Sequence, residues 1–202
     1  MRDIGPKHKA CRREGIQLCN SAKCPLRRRK YPPGMHGPKQ GNVRLTEYGS
    51  QLRMKQRLKR TYGLAEKQFR KFFENAARSK GDTAENLLKM LELRLDNVVF
   101  RIGMAETRPQ ARQIVNHGHI LVNGVNVDIP SYSVKVEDVI SVKESKKGKP
   151  YFVTTFEKVG KQTVDWIMWD RTKLEARVVN TPDLEQAKQQ CDIRQVVEYY
   201  SR

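Results

Sequence analysis

The first 80 residues hold 22 Lys/Arg against 5 Asp/Glu, whereas residues 81–202 hold 18 against 17. Nearly all of the formal charge of +18 therefore sits in two-fifths of the chain. Such a field attracts a polyanion, and nucleic acid is the commonest cellular candidate. An anionic membrane surface would favour an amphipathic helix with Trp, Phe and Leu on its apolar side, and no such pattern is present. No apolar run approaches the roughly 20 residues needed to span a bilayer; Asn97-Val98-Val99-Phe100 is typical. The start, Met1-Arg2-Asp3-Ile4-Gly5-Pro6, lacks the apolar stretch of a secretory signal. A soluble, intracellular protein is expected, with no membrane partner and no small-molecule substrate. Its 202 residues leave room for one large domain or two small ones, and 38% hydrophobic residues for a modest core.

Residues 1–42 are rich in Gly, Pro, Arg and Cys and show no helical or strand period. Tyr31-Pro32-Pro33-Gly34 and His36-Gly37-Pro38 punctuate the segment. It needs a metal, an RNA or a protein body to hold it. Three of the four cysteines lie here, as His8-x2-Cys11-x7-Cys19-x4-Cys24, and Cys191 is remote. That arrangement does not suit a secreted disulfide framework. Two close pairs of ligands across a short loop suit one tetrahedral ion in a structural site. Neighbouring Lys9, Arg12, Arg13 and Lys23 favour the thiolate form. Zinc is the favoured ion and an iron–sulfur cluster the alternative. His36 could replace His8, and Cys191 reads as a buried small residue.

From Gly49 the pattern turns helical: Met54, Leu58 and Tyr62 recur on one side, Arg53, Arg57 and Arg60 line an adjacent strip, and Gly63 is the stop. Phe69, Phe72, Phe73, Ala76 and Ala77 mark a second helix ending near Gly81. Asp82-Thr83-Ala84-Glu85, close to a capping box, opens a run with Leu87, Leu88, Leu91, Leu95, Val98, Val99 and Ile102 on one side. Thr107-Arg108-Pro109-Gln110 caps another helix, which stops at Gly118. Asn123-Gly124 between two β-rich runs is a hairpin signal. Further strands are expected at Tyr132–Val136, Val139–Lys143, Tyr151–Phe156 and Val164–Trp169, with a charged loop at Lys143–Lys149. Ile193, Val196, Val197 and Tyr200 predict a closing helix. Arg94 and Arg101, seven apart, would share one helix face; Arg108 and Arg112 would lie at a helix start, which favours phosphate.

Arg94-Leu95-Asp96-Asn97-Val98-Val99-Phe100-Arg101, Thr107-Arg108, Ala111-Arg112-Gln113 and Val122-Asn123-Gly124 resemble the small RNA-binding module named after the fourth small-subunit ribosomal protein. The flanks extend the resemblance: Cys11-Arg12-Arg13-Glu14-Gly15, Pro33-Gly34-x-His36-Gly37, Tyr48-Gly49-x-Gln51-Leu52-Arg53-x-Lys55-Gln56, Tyr62-Gly63, Gly81-x-Thr83-x-Glu85-Asn86-Leu87-Leu88 and the ending Val197–Arg202. Together they are similar to the bacterial-type S-four family of small-subunit ribosomal proteins over almost the whole chain.

The resemblance implies an α+β protein: a mostly helical body, an inserted α/β module of two helices packed on a short curved sheet, and a metal-knuckle N-terminal arm. It divides the chain into an arm at 1–42, a helical body at 43–90 completed by 160–202, and a module at 91–159. It implies a non-enzymatic ribosomal constituent, cytoplasmic or in an organelle with bacterial-type ribosomes. Such a constituent clamps a multi-helix junction of the rRNA 5′ domain and nucleates assembly. It also contacts ribosomal protein S-five at an interface linked to decoding accuracy, and lines the path by which mRNA enters. Lys39 and Arg44 occupy the stretch matching the basic loop of that path, although the loop sequence differs. His8 stands where a first Cys is usual in the family. The residues expected to meet RNA are Arg12, Arg13, Arg28, Lys39, Arg44, Arg53, Arg57, Arg60, Arg94, Arg101, Arg108 and Arg112. An RNA-modifying enzyme using the same module would need a separate catalytic domain. None of the four His is followed by the x-Glu of a zinc deaminase, and no Walker loop or Gly-x-Ser-x-Gly occurs. A stress-type RNA binder would need the module alone and leave the N-terminal half unexplained.

Overall fold

The computed structural model describes residues 5–19, 21–40, 44–158, 164–170, 173–182 and 191–202; Met1 to Ile4 lie outside them. The chain forms two compact units, Met1–Leu87 with Glu185–Arg202, and Leu88–Leu184. The second is inserted in the sequence of the first, and the architecture is the expected α+β one: a helical body, and a module with a small antiparallel sheet. No described helix is long and apolar enough to cross a membrane.

In the first unit, α1 (Lys7–Glu14) ends at Gly15, whose φ of 69° suits glycine. This helix corrects the expectation of an irregular arm. Its sequence, KHKACRRE, has almost no apolar period to read, and it is held by contacts from outside itself. Two short 3-10 turns follow, Pro25–Arg27 and Pro38–Gln40. Next, α2 (Glu47–Thr61) is capped by Thr46, whose hydroxyl accepts the Gly49 N–H, and Gly63 follows with φ of 62°. The stripe around Phe69 becomes α3 (Glu66–Arg78), with Phe69 and Ala76 buried. The closing helix, α9 (Ile193–Ser201), packs along α2. Ser50 donates to Gln195 at 3.0 Å, Gln51 to Glu198 at 3.0 Å, and Phe73 stacks on Tyr200 at 4.7 Å.

The long leucine run is two helices rather than one: α4 (Thr83–Glu92) and α5 (Leu95–Ile102). Arg94 between them is extended, bridges to Ser133, and lies outside the helix it was expected to share with Arg101. Leu93 accepts the Val134 N–H and Leu95 donates to Tyr132. That pairing with the following segment breaks the helix where local pattern would continue it.

In the second unit, α6 (Arg108–Asn116) starts at the expected cap, with the Gln110 N–H donated to Thr107 Oγ1. The sheet runs β2-β1-β3-β5-β4, all antiparallel, through β1 (Ile120–Val122), β2 (Val125–Asn126), β3 (Val139–Val142), β4 (Ile167–Asp170) and β5 (Glu175–Val178). Ile120, Val122, Ile140, Val142, Ala176 and Val178 face one core with Val98, Val99 and Ile102 of α5 and Ala111, Ile114 and Val115 of α6. Three sequence expectations fail here. Tyr151–Phe156 belongs to helix α8 (Pro150–Lys158); Tyr132–Val136 contributes only the Ser133 bridge; and the charged loop contains the short helix α7 (Glu144–Lys147). β5 had no forecast.

Candidate metal centre and nucleic-acid interface

Helix α1 carries His8 and Cys11 one turn apart, and the chain returns to them through Cys19 and Cys24. Cys11, Cys19 and Cys24 are buried under Leu18 and Leu26, whereas His8 is exposed. The Sγ atoms of Cys11 and Cys19 are 3.5 Å apart, His8 Nδ1 is 3.5 Å from Cys19 Sγ, and all four donor atoms lie within 4.8 Å of one another. A tetrahedral zinc about 2.3 Å from sulfur and about 2.0–2.1 Å from nitrogen separates its donors by about 3.5–3.8 Å. The donors present fit one such ion, and the cluster could hold it. His8, not His36, completes the set. Cys191 is buried elsewhere, and burial pushes its thiol up to about 11.

The basic residues divide into those tied within the fold and those facing solvent. Arg12 donates to the carbonyls of Tyr31 at 3.1 Å and Pro32 at 3.0 Å, and its guanidinium covers the Tyr31 ring. Arg53, Arg57 and Arg60 converge on one acid that the sequence did not single out, Glu14. Its Oε1 accepts from Arg53 at 3.3 Å and from Arg60, and its carbonyl from Arg57 at 2.8 Å. Arg13, Arg28, Lys39 and Arg44 are exposed.

In the second unit two buried carboxylates organise four arginines. Asp96 accepts from Arg94 at 3.1 and 2.9 Å and from Arg112 at 2.8 and 2.7 Å. Glu92 accepts from Arg101 at 3.0 and 2.8 Å and from Asn97 at 2.8 Å, and Asn97 in turn accepts from Arg108 at 2.8 Å. Arg108 also covers the Phe100 ring. Arg94 is only 4% exposed, so its charge serves the scaffold, while Arg101, Arg108 and Arg112 are half-buried at its rim. Fixing planar guanidiniums beforehand lowers the entropy lost when they bind phosphate. The one signal in the sequence was the alternation of acid and arginine in Glu92-Leu93-Arg94-Leu95-Asp96.

A third polar centre also went unforeseen. Lys55, 3% exposed, donates to Glu66 at 2.7 Å beside Lys59 at 2.8 Å and the Tyr200 hydroxyl at 2.8 Å. Burial alone would raise the Glu66 carboxyl, but these donors outweigh it and hold the group at about 2.

The family model described as "Ribosomal protein S4/S9 N-terminal domain" matches residues 2–92, and the one described as "S4 domain" matches residues 93–140. Curated proteins called "Small ribosomal subunit protein uS4" are similar from end to end. The one from Thermoanaerobacter sp. is 49% identical over 207 residues, covering 100% of this chain and 99% of its own. That from Caldicellulosiruptor saccharolyticus is 47% identical, covering 98% of each, and that from Desulforamulus reducens 44%, covering 100% and 99%. Similarity that runs unbroken through both units, at this level of identity, means that the chain belongs to the ribosomal protein S4 (uS4) family.

Proposed function

We propose that this protein is an rRNA-binding structural constituent of the small ribosomal subunit, clamping a multi-helix junction of the rRNA 5′ domain early in assembly. Belonging to a structural ribosomal family, it is not an enzyme. The observation that carries the reading is the full-length match to proteins named for that subunit, joined to a charge of +18 concentrated in the first 80 residues. Structured RNA is recognised through shape, phosphates and 2′-hydroxyls. The exposed Arg13, Arg28, Lys39 and Arg44, with the braced Arg53, Arg57, Arg60, Arg101, Arg108 and Arg112, supply cations for that purpose. Arg12 and Arg94 hold the surface from within. Zinc on His8, Cys11, Cys19 and Cys24 cross-links the arm; donors this close leave no space for the inorganic sulfides of a cluster. Contact with ribosomal protein S-five, a part in decoding accuracy, and Lys39 and Arg44 beside incoming mRNA complete the reading.

The test is affinity for protein-free small-subunit rRNA across a salt series. Affinity falls on a log–log plot by about 0.7–0.9 per phosphate contacted. A steep slope and preference over transfer RNA are expected, and a flat slope without preference would overturn the proposal. Metal content of the purified protein, beside Cys11→Ser, is expected to give one zinc per chain in the first and none in the second.

A further inference from the structure

A recess of about 340 Å³ opens between α1, the loop at Pro33 and α2. Lys9, Arg13 and Arg60 line it, together with Gly5, Pro6, Ala10 and Pro33. That volume lies at the small end of ligand sites. Pro6, Lys9, Ala10 and Arg13 follow one another at helical spacing, so one face of α1 forms the floor. Cys11 and Glu14 lie on the other face, turned into the body. Lys9 and Arg13 are exposed and make no ion pair among the described residues. The proline wall is fixed in place: Arg12 grips the carbonyls of Tyr31 and Pro32, and a Cβ on Gly37 would stand 2.0 Å from Pro32 O, a space only glycine leaves.

Arg60 is set by Glu14, whose side chain is wholly buried. The second oxygen of that carboxylate, Oε2, is buried without a partner. Leaving a buried carboxylate half-satisfied costs stability. What the carboxylate secures is two guanidiniums, from Arg53 and Arg60, held together against their mutual repulsion, while Arg57 is held by the backbone carbonyl of the same residue. The anchor lies on the same helix as Cys11, three residues on, so the metal knuckle and the arginine strip are joined through α1.

We infer that this recess seats one phosphate of the RNA backbone with its ribose, and that Glu14 is the positioning residue that keeps Arg60 on its wall. Three cations converge on a space of nucleotide size, and the prolines, which carry no N–H, offer flat apolar sides to the sugar. The inference rests on the rRNA-binding reading and adds to it a defined seat. It also makes an unusual demand of electrostatics. Removing the charge of Glu14 raises the formal charge above +18, which by net charge alone strengthens binding to a polyanion; loss of positioning weakens it.

The experiment is binding of the full-length, metal-replete protein to protein-free small-subunit rRNA over a salt series. Wild type is compared with Lys9→Ala/Arg13→Ala, Glu14→Gln and Glu14→Asp, with metal content and helical signal read on each. The double variant is expected to keep its metal and helices, bind more weakly and lose about one to two from the log–log slope. Glu14→Gln is expected to bind more weakly with a slope lower by about one, and Glu14→Asp to recover it. A double variant with wild-type affinity and slope would overturn the seat. Equal or tighter binding by Glu14→Gln would overturn the positioning role. Should Glu14→Gln lose metal or helix, Arg60→Ala decides in its place: a wild-type slope refutes the recess, and a lowered one supports it. If wild type itself shows no salt-dependent binding, the rRNA reading falls; if only the variants match wild type, the seat alone falls.

Discussion

Asp96 is 4% exposed and sits between two guanidiniums, those of Arg94 and Arg112. Breaking a buried pair from one side strands the other charge, at about 3–5 kcal/mol. Asp96→Ala is therefore expected to destabilise the second unit by about that much, read as a shift in its urea midpoint. Exposed Arg13→Ala, with no buried partner, is expected to move stability by less than about 0.5 kcal/mol. A small effect at Asp96 would mean that solvent reaches Arg94. At this scale the sequence was readable in part. Thr107 caps α6 as its spacing foretold, and His8, Cys11, Cys19 and Cys24 meet as their spacing foretold. Glu14, Glu92 and Asp96 were not legible as anchors, because each also gathers a cation 9 or more residues away, Arg60, Arg101 and Arg112, and residue type alone cannot show which side chains converge.

Elements form where local signals and tertiary docking agree, and misreadings cluster where the two conflict. Tyr151-Phe152-Val153-Thr154 is rich in β-formers, yet Pro150 suits a helix's first turn and Phe152 is 1% exposed in the core of α8's unit. Tyr151 adds a hydrogen bond to the Met104 carbonyl at 2.8 Å. Propensity is a weak prior against such docking. Where turn chemistry is strict, the reading holds: Asn123 and Gly124 have φ of 50° and 79°, as a tight hairpin turn requires. A Cβ on Gly124 would meet nothing within 4 Å, so Gly124→Ala is expected to cost about 1–2 kcal/mol from backbone conformation alone, measured by thermal or urea unfolding. At the junction of α2, α3 and α9, Glu66 titrates at about 2, below its ordinary 4.5. A depressed carboxyl contributes stability fully above the unfolded value and loses it as pH falls through the folded one. Wild type is thus expected to lose melting temperature between about pH 4.5 and 2 more steeply than Glu66→Gln. Parallel curves would show that Lys55, Lys59 and Tyr200 do not hold the charge.

Across the molecule the two units carry different reporters of folding. The first unit contains the four candidate metal donors, and the second contains both tryptophans, Trp166 and Trp169. Metal binding to thiolates couples to folding. A chelator at neutral pH is therefore expected to open the arm to trypsin at Arg12, Arg13 and Lys23 while tryptophan emission stays unchanged. Simultaneous loss of both signals would mean that the units unfold together. The sequence by itself determined the class of partner, the meeting of His8, Cys11, Cys19 and Cys24, most helices and the hairpin. Each of these rests on charge summed along the chain, or on spacing within a turn or two. Only the tertiary structure decided that α4 and α5 part at Arg94, that Tyr151–Phe156 is helical, and that Glu14, Glu92 and Asp96 gather the arginines. Those outcomes depend on groups distant in sequence meeting in low dielectric, where an ion pair or a borrowed backbone hydrogen bond outweighs the fraction of a kilocalorie by which local preference differs.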